Sequence, residues 1–282
     1  MLVQQIINGV VIGSSYALIA LGLNLIWSIT DIPDFSQGGI YVIAAYASYF
    51  AVKLVNIPFP VALLMAMVIG SGMAFVIERF LYRRWTGKGR IQLLCAIALF
   101  FLLSNSAILL WTAKSKIFPS YLTGGIRFAG FILSYQRIVV ILVAALLFIV
   151  VYMFIMKTKM GKAIRAASQD REAAEVVGIN ISTVNSVVFI IGGALSGTAA
   201  VLISPLYAVF PTMGDLPLLK SLVVVILGGF GSVAGVLIGG IGLGLIESLG
   251  AAYVSSAYQH GFAFFVLILV LLFFPKGLFG RT

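Results

Sequence analysis

Side chains capable of chemistry are few in this sequence, and their kinds narrow what it can do. His260 is the only histidine and Cys95 the only cysteine, so no multi-histidine metal site, disulfide or cysteine-based metal centre can form within the chain. No GxxxxGK(S/T) phosphate loop occurs; Gly161-Lys162-Ala163 and Gly87-Lys88-Gly89 lack its frame. The chain is therefore expected to have no catalytic residues, to hold no metal and no cofactor, and to depend on a partner or an ion gradient for energy. Two acids stand out by position. Glu247 lies inside an apolar run, where a carboxylate costs roughly 2.5–3.5 kcal/mol on insertion scales, so it should face neighbouring helices, in a structural hydrogen bond more than in a pathway role. Glu78, followed by Arg79, ends another apolar run and is expected to anchor it at the membrane surface. Asp215 and His260 fall near expected exterior ends.

The elements that must carry these residues are membrane helices. Of 282 residues, 62% are hydrophobic and 9% charged, against about 25% charged in a soluble domain, and the mean hydropathy is +1.16. Such a chain cannot be covered by water, which excludes a cytoplasmic enzyme, a secreted disulfide scaffold and a disordered regulator. A spanning helix needs about 20 mostly apolar residues. Runs of that kind fall at 5–27, 36–55, 59–78, 91–113, 136–156, 184–204, 217–230, 233–252 and 260–275. The expected fold is all-α, a polytopic helix bundle with eight or nine membrane segments forming one domain over 1–282. The segment 217–230 is short for a full span and is expected to be re-entrant or broken. Met1 to Val11 holds no Lys or Arg, so the first segment should remain as a membrane helix.

The net charge of +10 would suggest nucleic acid in a soluble protein; here it marks topology, since cytoplasmic loops are enriched in Lys and Arg. One side carries Arg79, Arg83, Arg84, Lys88, Arg90, Lys157, Lys159, Lys162, Arg165, Arg171, Lys276 and Arg281. The other carries Lys53, Lys114, Lys116, Arg127, Arg137 and Lys220. The richer side is expected to be cytoplasmic. Nine crossings then put the N-terminus outside and the C-terminus inside.

Glycine is abundant, with 30 residues, and several are spaced by four: Gly9 and Gly13, Gly193 and Gly197, Gly235 and Gly239, Gly240 and Gly244. Small residues at that spacing let helix backbones approach closely. They fit ordinary packing or helices that slide against each other, and the spacing leaves both open. Asn24 lies within the first apolar run and either lines a path or bonds a neighbouring helix. Pro33, in Asp31-Ile32-Pro33-Asp34-Phe35, interrupts the helical run. Ser36, Gln37 and Gly38 would then open the second helix, and free N–H groups there would suit a carboxylate. A plain turn is the equal alternative.

The polar stretch from Lys157 to Ile181 is Ala-rich and favours helix. Ala163, Ala166, Ala167, Ala173, Ala174 and Val177 give it a modest apolar face, ringed by Lys162, Arg165, Asp170, Arg171, Glu172 and Glu175. Asp170 is expected to cap a second short helix and Gly178 to stop it. The pattern fits a docking element for a cytoplasmic partner.

Here the sequence resembles a known family. EAAEVVG, from Glu172 to Gly178, is similar to the EAAxxxG core of the coupling loop in ABC importer permeases. MGxxxRAxxxDxxxAxxxGIN, from Met160 to Asn180, resembles the version in branched-chain amino acid permeases of the LivH type. GSSYALIALGLNLIW from Gly13, ERFLYRR from Glu78, LGGFGSVAGVLIGG from Leu227, IESL around Glu247 and PKGLFGR from Pro275 agree in order. The resemblance covers nearly the whole chain, and the lack of an N-terminal extension favours the shorter subunit type.

That resemblance implies a permease subunit in the plasma membrane (the bacterial inner membrane), surrounded by membrane lipid and not bound to nucleic acid. Its partners would be a second homologous permease, two cytoplasmic ATPase subunits and an exterior substrate-binding protein, with ATP and Mg on the ATPases. Gly161, Arg165, Asp170, Glu172, Ala173 and Gly178, within a coupling loop at about 158–180, would form the ATPase-docking element. Asn24, Ser36 and Gln37 are candidates for the substrate pathway. Where FAHGE is expected after the first helix, Phe35 to Gly39 is FSQGG, and the I-x-LP of many other importers is replaced by VFII at Val188 to Ile191. The substrate thus stays open between branched-chain or related amino acids and urea, short amides, sugars or nucleosides. An ion-coupled carrier is the alternative of another class, disfavoured by the scarcity of intramembrane acids.

Overall fold

An α-helix rises 1.5 Å per residue and closes its backbone hydrogen bonds internally, which makes it the natural way for an apolar chain to cross about 30 Å of hydrocarbon. The structure, a computed structural model of the chain, describes residues 2–119, 124–128, 131–273 and 277. Seven helical runs are long and apolar enough to span. They are α1 (Leu2–Thr30), α2 (Ser36–Val55), the run starting with α3 (Phe59–Ile77), α4 (Gly89–Trp111), α5 (Tyr135–Lys157), α8 (Ile181–Ile203) and α10 (Val233–Tyr253). Two short helices, α6 (Lys159–Ala167) and α7 (Arg171–Val176), fill the loop between α5 and α8. A small antiparallel ribbon, β1 (Gly125–Phe128) with β2 (Phe131–Ser134), precedes α5. With the isolated antiparallel bridge of Lys116 and Val209, it is the departure from an all-helical bundle among the described residues. Lys276 and Arg281 of the basic set, and all of the PKGLFGR stretch but Gly277, lie outside those residues.

The short segment is α9 (Asp215–Gly228), 14 residues long and so only about 21 Å. It nevertheless keeps the alternation of direction. Gly228 packs on Gly235, Val224 lies near Gly239 and Lys220 reaches Glu247, so α9 and α10 form an antiparallel hairpin. Gly9 meets Gly244, and Gly13 meets Gly240, so α10 also runs antiparallel to α1. The last helix, α11 (Gln259–Phe273), returns until Gly277 sits beside Ile226 and Gly229. Among the described residues nine helical segments thus alternate in direction, seven of them long enough to span, with the stretch 204–214 making up the length that α9 lacks.

Two close-packed layers form the centre. In one, α1 lies against α9 and α10; in the other, α3 lies against α8 with α2 beside them, and α1 against α8 joins the two. Glycine makes this possible. A Cβ on Gly13 would stand 2.5 Å from the carbonyl oxygen of Gly240, and one on Gly70 would collide with the carbonyl of Gly193. Backbones this near leave no room for a methyl group, and in lipid it is contact of this kind that holds helices together. Of the two readings left by the glycine spacing, close packing is what these pairs display. From Gly9 to Ile29 α1 is almost wholly buried. Leu94, Leu102 and Leu109 of α4, with Leu142 and Leu146 of α5, are exposed, as lipid-facing side chains should be.

The α9–α10 turn needs two backbone conformations open mainly to glycine: Gly229 has φ 82° and Gly231 φ 76°. Ser232 then caps α10 by accepting from the Gly235 N–H at 3.0 Å.

Candidate functional site

The polar loop folds as its sequence suggests. Thr158 caps α6 by accepting from Gly161 N–H at 2.9 Å. Asp170 caps α7 by accepting from Ala173 N–H at 2.9 Å. The end of α7 is closed by two backbone bonds, Ile179 N–H to Ala174 C=O and Gly178 N–H to Glu175 C=O, both 3.0 Å. That pair of bonds requires a left-handed residue, and Gly178 supplies it with φ 87°. Gly161 serves differently: a Cβ there would run into the carbonyls of Phe154 and Ile155, so glycine lets α6 fold back against the end of α5. Arg165 reaches the Met156 sulfur at 3.3 Å, while Glu172 and Ala173 are exposed.

One face of the α6–α7 pair is buried through Ile164, Ala167 and Ala174, and α7 presents the opposite one outward, where Val176 is 88% and Val177 75% exposed. Two bare valines at the tip of a capped helix, among Glu172, Glu175 and Arg171, form an apolar knob with a charged rim. The apolar face expected from the alanines is therefore mostly the inner face, and Val176–Val177 is the outer one.

The three residues considered for a pathway are all fully buried, and they divide between two places. Asn24 holds the α9–α10 turn: its Oδ1 accepts from Gly231 N–H at 3.0 Å and its Nδ2 donates to Ser232 C=O at 3.5 Å. Ser36 and Gln37 open α2, but that helix start does not offer free N–H groups. Asp34 fills it, accepting from Ser36 N–H at 3.0 Å and from Gln37 Nε2 at 2.9 Å. The Ser36 hydroxyl has no hydrogen-bond partner among the described residues. Gln37 also accepts from Ser196 on α8 at 2.7 Å.

Around Asp34 lies a network that the sequence reading did not identify. The Tyr82 hydroxyl donates to Asp34 Oδ1 at 2.7 Å. Tyr82 ends a π-helical turn, Glu78–Tyr82, which continues α3 and passes into a 3-10 turn, Arg83–Trp85. Glu78 is 1% exposed and so is no surface anchor. Its carboxylate accepts from Arg83 Nε at 3.2 Å and Nη2 at 3.1 Å, and from Ser186 Oγ of α8 at 2.8 Å. In a regular α-helix, residues five apart point about 140° away from each other. The π turn adds a residue to the cycle and brings Glu78 and Arg83 together. ERFLYRR carried the signal, an acid and a base five apart with a tyrosine between them.

A second correction concerns Lys220, counted with the exterior basic residues. It is 1% exposed, in the second turn of α9. Its ammonium donates to Glu247 Oε2 at 2.8 Å and to Tyr16 Oη at 2.8 Å, and lies 3.0 Å from His260 Nδ1. The membrane does not admit a bare cation, and three partners match its three protons. A cavity of about 310 Å³ opens beyond this cluster, lined by Gln5, Asn8, Arg137, Tyr207 and Ser248 among others.

The high-affinity branched-chain amino acid transport system permease protein BraD of Pseudomonas aeruginosa is 35% identical, covering 99% of this chain and 95% of its own. The corresponding permease protein LivH of Escherichia coli is also 35% identical, over 99% of this chain and 95% of its own. A ribose import permease protein, RbsC of Haemophilus influenzae, is 28% identical over 91% of this chain and 80% of its own. Among solved structures, a chain of PsaBC from Streptococcus pneumoniae in complex with Fab shares the fold. Its TM-score is 0.52 at 11% identity, over 95% of this chain and 91% of that one. Residues 5–271 match the family described as branched-chain amino acid transport system / permease component. This chain, a multi-pass membrane protein, belongs to that family.

Proposed function

We propose that this chain is the permease subunit of an ABC importer that takes up branched-chain or related amino acids by alternating access. One membrane domain spans 1–282, and the loop at about 158–180 docks a cytoplasmic ATPase. The observation that carries the docking role is the Val176–Val177 knob, bare at the tip of a helix capped at both ends. Gly161, Arg165, Asp170, Glu172, Ala173 and Gly178 shape and hold that element. The working assembly has this chain, a second homologous permease, two ATPase subunits that bind ATP and Mg, and an exterior substrate-binding protein. The ATPases bind ATP in one arrangement better than in the other, and that difference drives the membrane bundle between its two states. The names of BraD and LivH support the amino-acid reading of the substrate.

The test is reconstitution. The chain is co-expressed with two ATPases, a second permease and a binding protein from the same organism, and the complex is placed in proteoliposomes. ATP-dependent uptake of radiolabelled L-leucine, competed by isoleucine and valine, is the expected result. Uptake of ribose, urea or acetamide instead would overturn the substrate. Uptake without the ATPases that follows an ion gradient would overturn the mechanism.

A further inference from the structure

The polar network around Asp34 joins the docking loop to the start of α2, and the joint is the π-helical turn. Gly178 ends α7, and Asn180 caps α8 by accepting from Thr183 N–H at 3.1 Å, so α7 and α8 are joined by a tight, hydrogen-bonded corner. In the first two turns of α8, Ser182 C=O and Ser186 Oγ accept from Arg83 at 3.3 and 2.8 Å, and Ser186 Oγ donates to Glu78. The same turn presents Tyr82 to Asp34 at 2.7 Å. Asp34 holds the first residues of α2 through Ser36 N–H and Gln37. Gln37 returns to α8 at Ser196, which closes the circuit. Gln92 Nε2 donates to Tyr82 C=O at 2.9 Å and steadies the turn from α4.

We propose that the segment Glu78–Arg83 transmits movement of the docking loop to the N-terminus of α2, with Glu78, Tyr82, Arg83 and Asp34 as positioning residues for transport. This rests on the reading of the α6–α7 loop as an ATPase dock. Two features set this circuit apart from ordinary packing. It is built of directional bonds between buried or half-buried groups, so a tilt of α8 is felt at α2 without passing through loose apolar contacts. Its joint is also a π turn, for which a regular α turn is the alternative form. A π turn holds one residue more per cycle than an α turn. Relaxing it to α would separate Glu78 from Arg83 and swing Tyr82 off Asp34. Coupling between distant sites requires such a two-state element, biased from both ends.

The test uses the complete complex in proteoliposomes with its binding protein. Tyr82→Phe removes only the hydroxyl and keeps the ring that packs on Phe189, 4.8 Å between centroids; Arg83→Met removes the fork. Leucine transported per ATP hydrolysed should fall at least tenfold in each, with ATPase subunits still bound in full. The double variant should be no worse than the worse single variant. Arg83→Lys, which keeps one charge on Glu78, should recover part of the ratio. A ratio that stays at the parent value, or losses that multiply, would overturn the proposal. A second measurement needs no substrate. Spin labels at Asp31→Cys and Leu142→Cys, in a Cys95→Ser background, report the α1–α2 turn that carries Asp34 against α5. ATP with vanadate should shift their distance in the parent and not in Tyr82→Phe. An equal shift in both, or none in the parent, would overturn the proposal. Failure of the ATPases to bind the unmodified chain would strike at the docking role itself, a separate result.

Discussion

Lys220 Nζ and Glu247 Oε2 meet at 2.8 Å, with 1% and 0% of their side chains exposed. The pair ties the short helix α9 to α10, and Tyr16 brings α1 into the same cluster. An isolated charge left in such a place costs far more than a matched pair. Lys220→Met strands the carboxylate and should destabilise the protein by about 3–5 kcal/mol. Replacing both, Lys220→Met with Glu247→Leu, should restore most of that loss, because no buried charge remains. Thermal unfolding in detergent, followed by size-exclusion of the soluble fraction, reads both. A double variant less stable than Lys220→Met would mean that the pair stabilises by more than mutual neutralisation.

Gly70 and Gly72 lie two residues apart on α3 and should answer oppositely to one methyl group. At Gly70 the added Cβ collides with the backbone of Gly193, whereas at Gly72 it meets nothing within 4 Å. Gly70→Ala must push α3 off α8 and should lower stability by about 1–3 kcal/mol. Gly72→Ala should be neutral or raise it by up to about 1 kcal/mol, since alanine favours helix. Melting temperatures of the two variants in one detergent decide it. Equal shifts would contradict the close crossing at Gly193.

The apolar runs made the helices legible, and what they could not convey is which polar groups meet. The 36–55 run is α2 to the residue, because Pro33 stops the preceding helical run and Asn56, with φ 53°, stops the following one. The short segment at 217–230 is α9, 14 residues long, for the plain reason that too few apolar residues precede the Gly228–Gly229 turn. Lys220 lies within the 217–230 run yet is counted with the exterior basic residues, because a sum of lysines and arginines by side does not tell a buried lysine from a solvated one. Its partner is supplied by α10, 27 positions away. Asp34 and Tyr82 are 48 positions apart, and nothing in a single chain announces such a pairing. The caps at Asp170 and Gly178 were readable because capping is local: donor and acceptor lie within six residues.

The docking surface predicts a clean separation between folding and assembly. Val176→Asp places a charge on a side chain that is already bare, so membrane insertion and melting temperature should not change. Contact with an ATPase would be lost, and burying one valine is worth about 1.5–3 kcal/mol, so co-purified ATPase should fall tenfold or more. Gly178→Val has room for its side chain but not the backbone conformation, at a cost of about 1–2 kcal/mol. It should deform the end of α7 and weaken the same contact. Pull-down of tagged ATPase subunits against a fixed amount of permease measures both. Undiminished binding in Val176→Asp would place the dock elsewhere.

Asn24 separates a structural role from a pathway role. Its Oδ1 is the acceptor for Gly231 N–H in a turn whose backbone is held by two left-handed glycines. Asn24→Ala removes the acceptor of that part-buried bond, which costs about 0.5–1.5 kcal/mol. The loss should appear as a lower melting temperature and a smaller yield of folded protein, and the fall in transport should follow the amount of folded complex. KM for leucine, measured with saturating binding protein, should stay at the parent value, because no atom of Asn24 is open to a substrate in this arrangement. A raised KM at unchanged stability would reverse the assignment: it would place Asn24 on the wall of the path in another state of the cycle, with the turn held by other bonds.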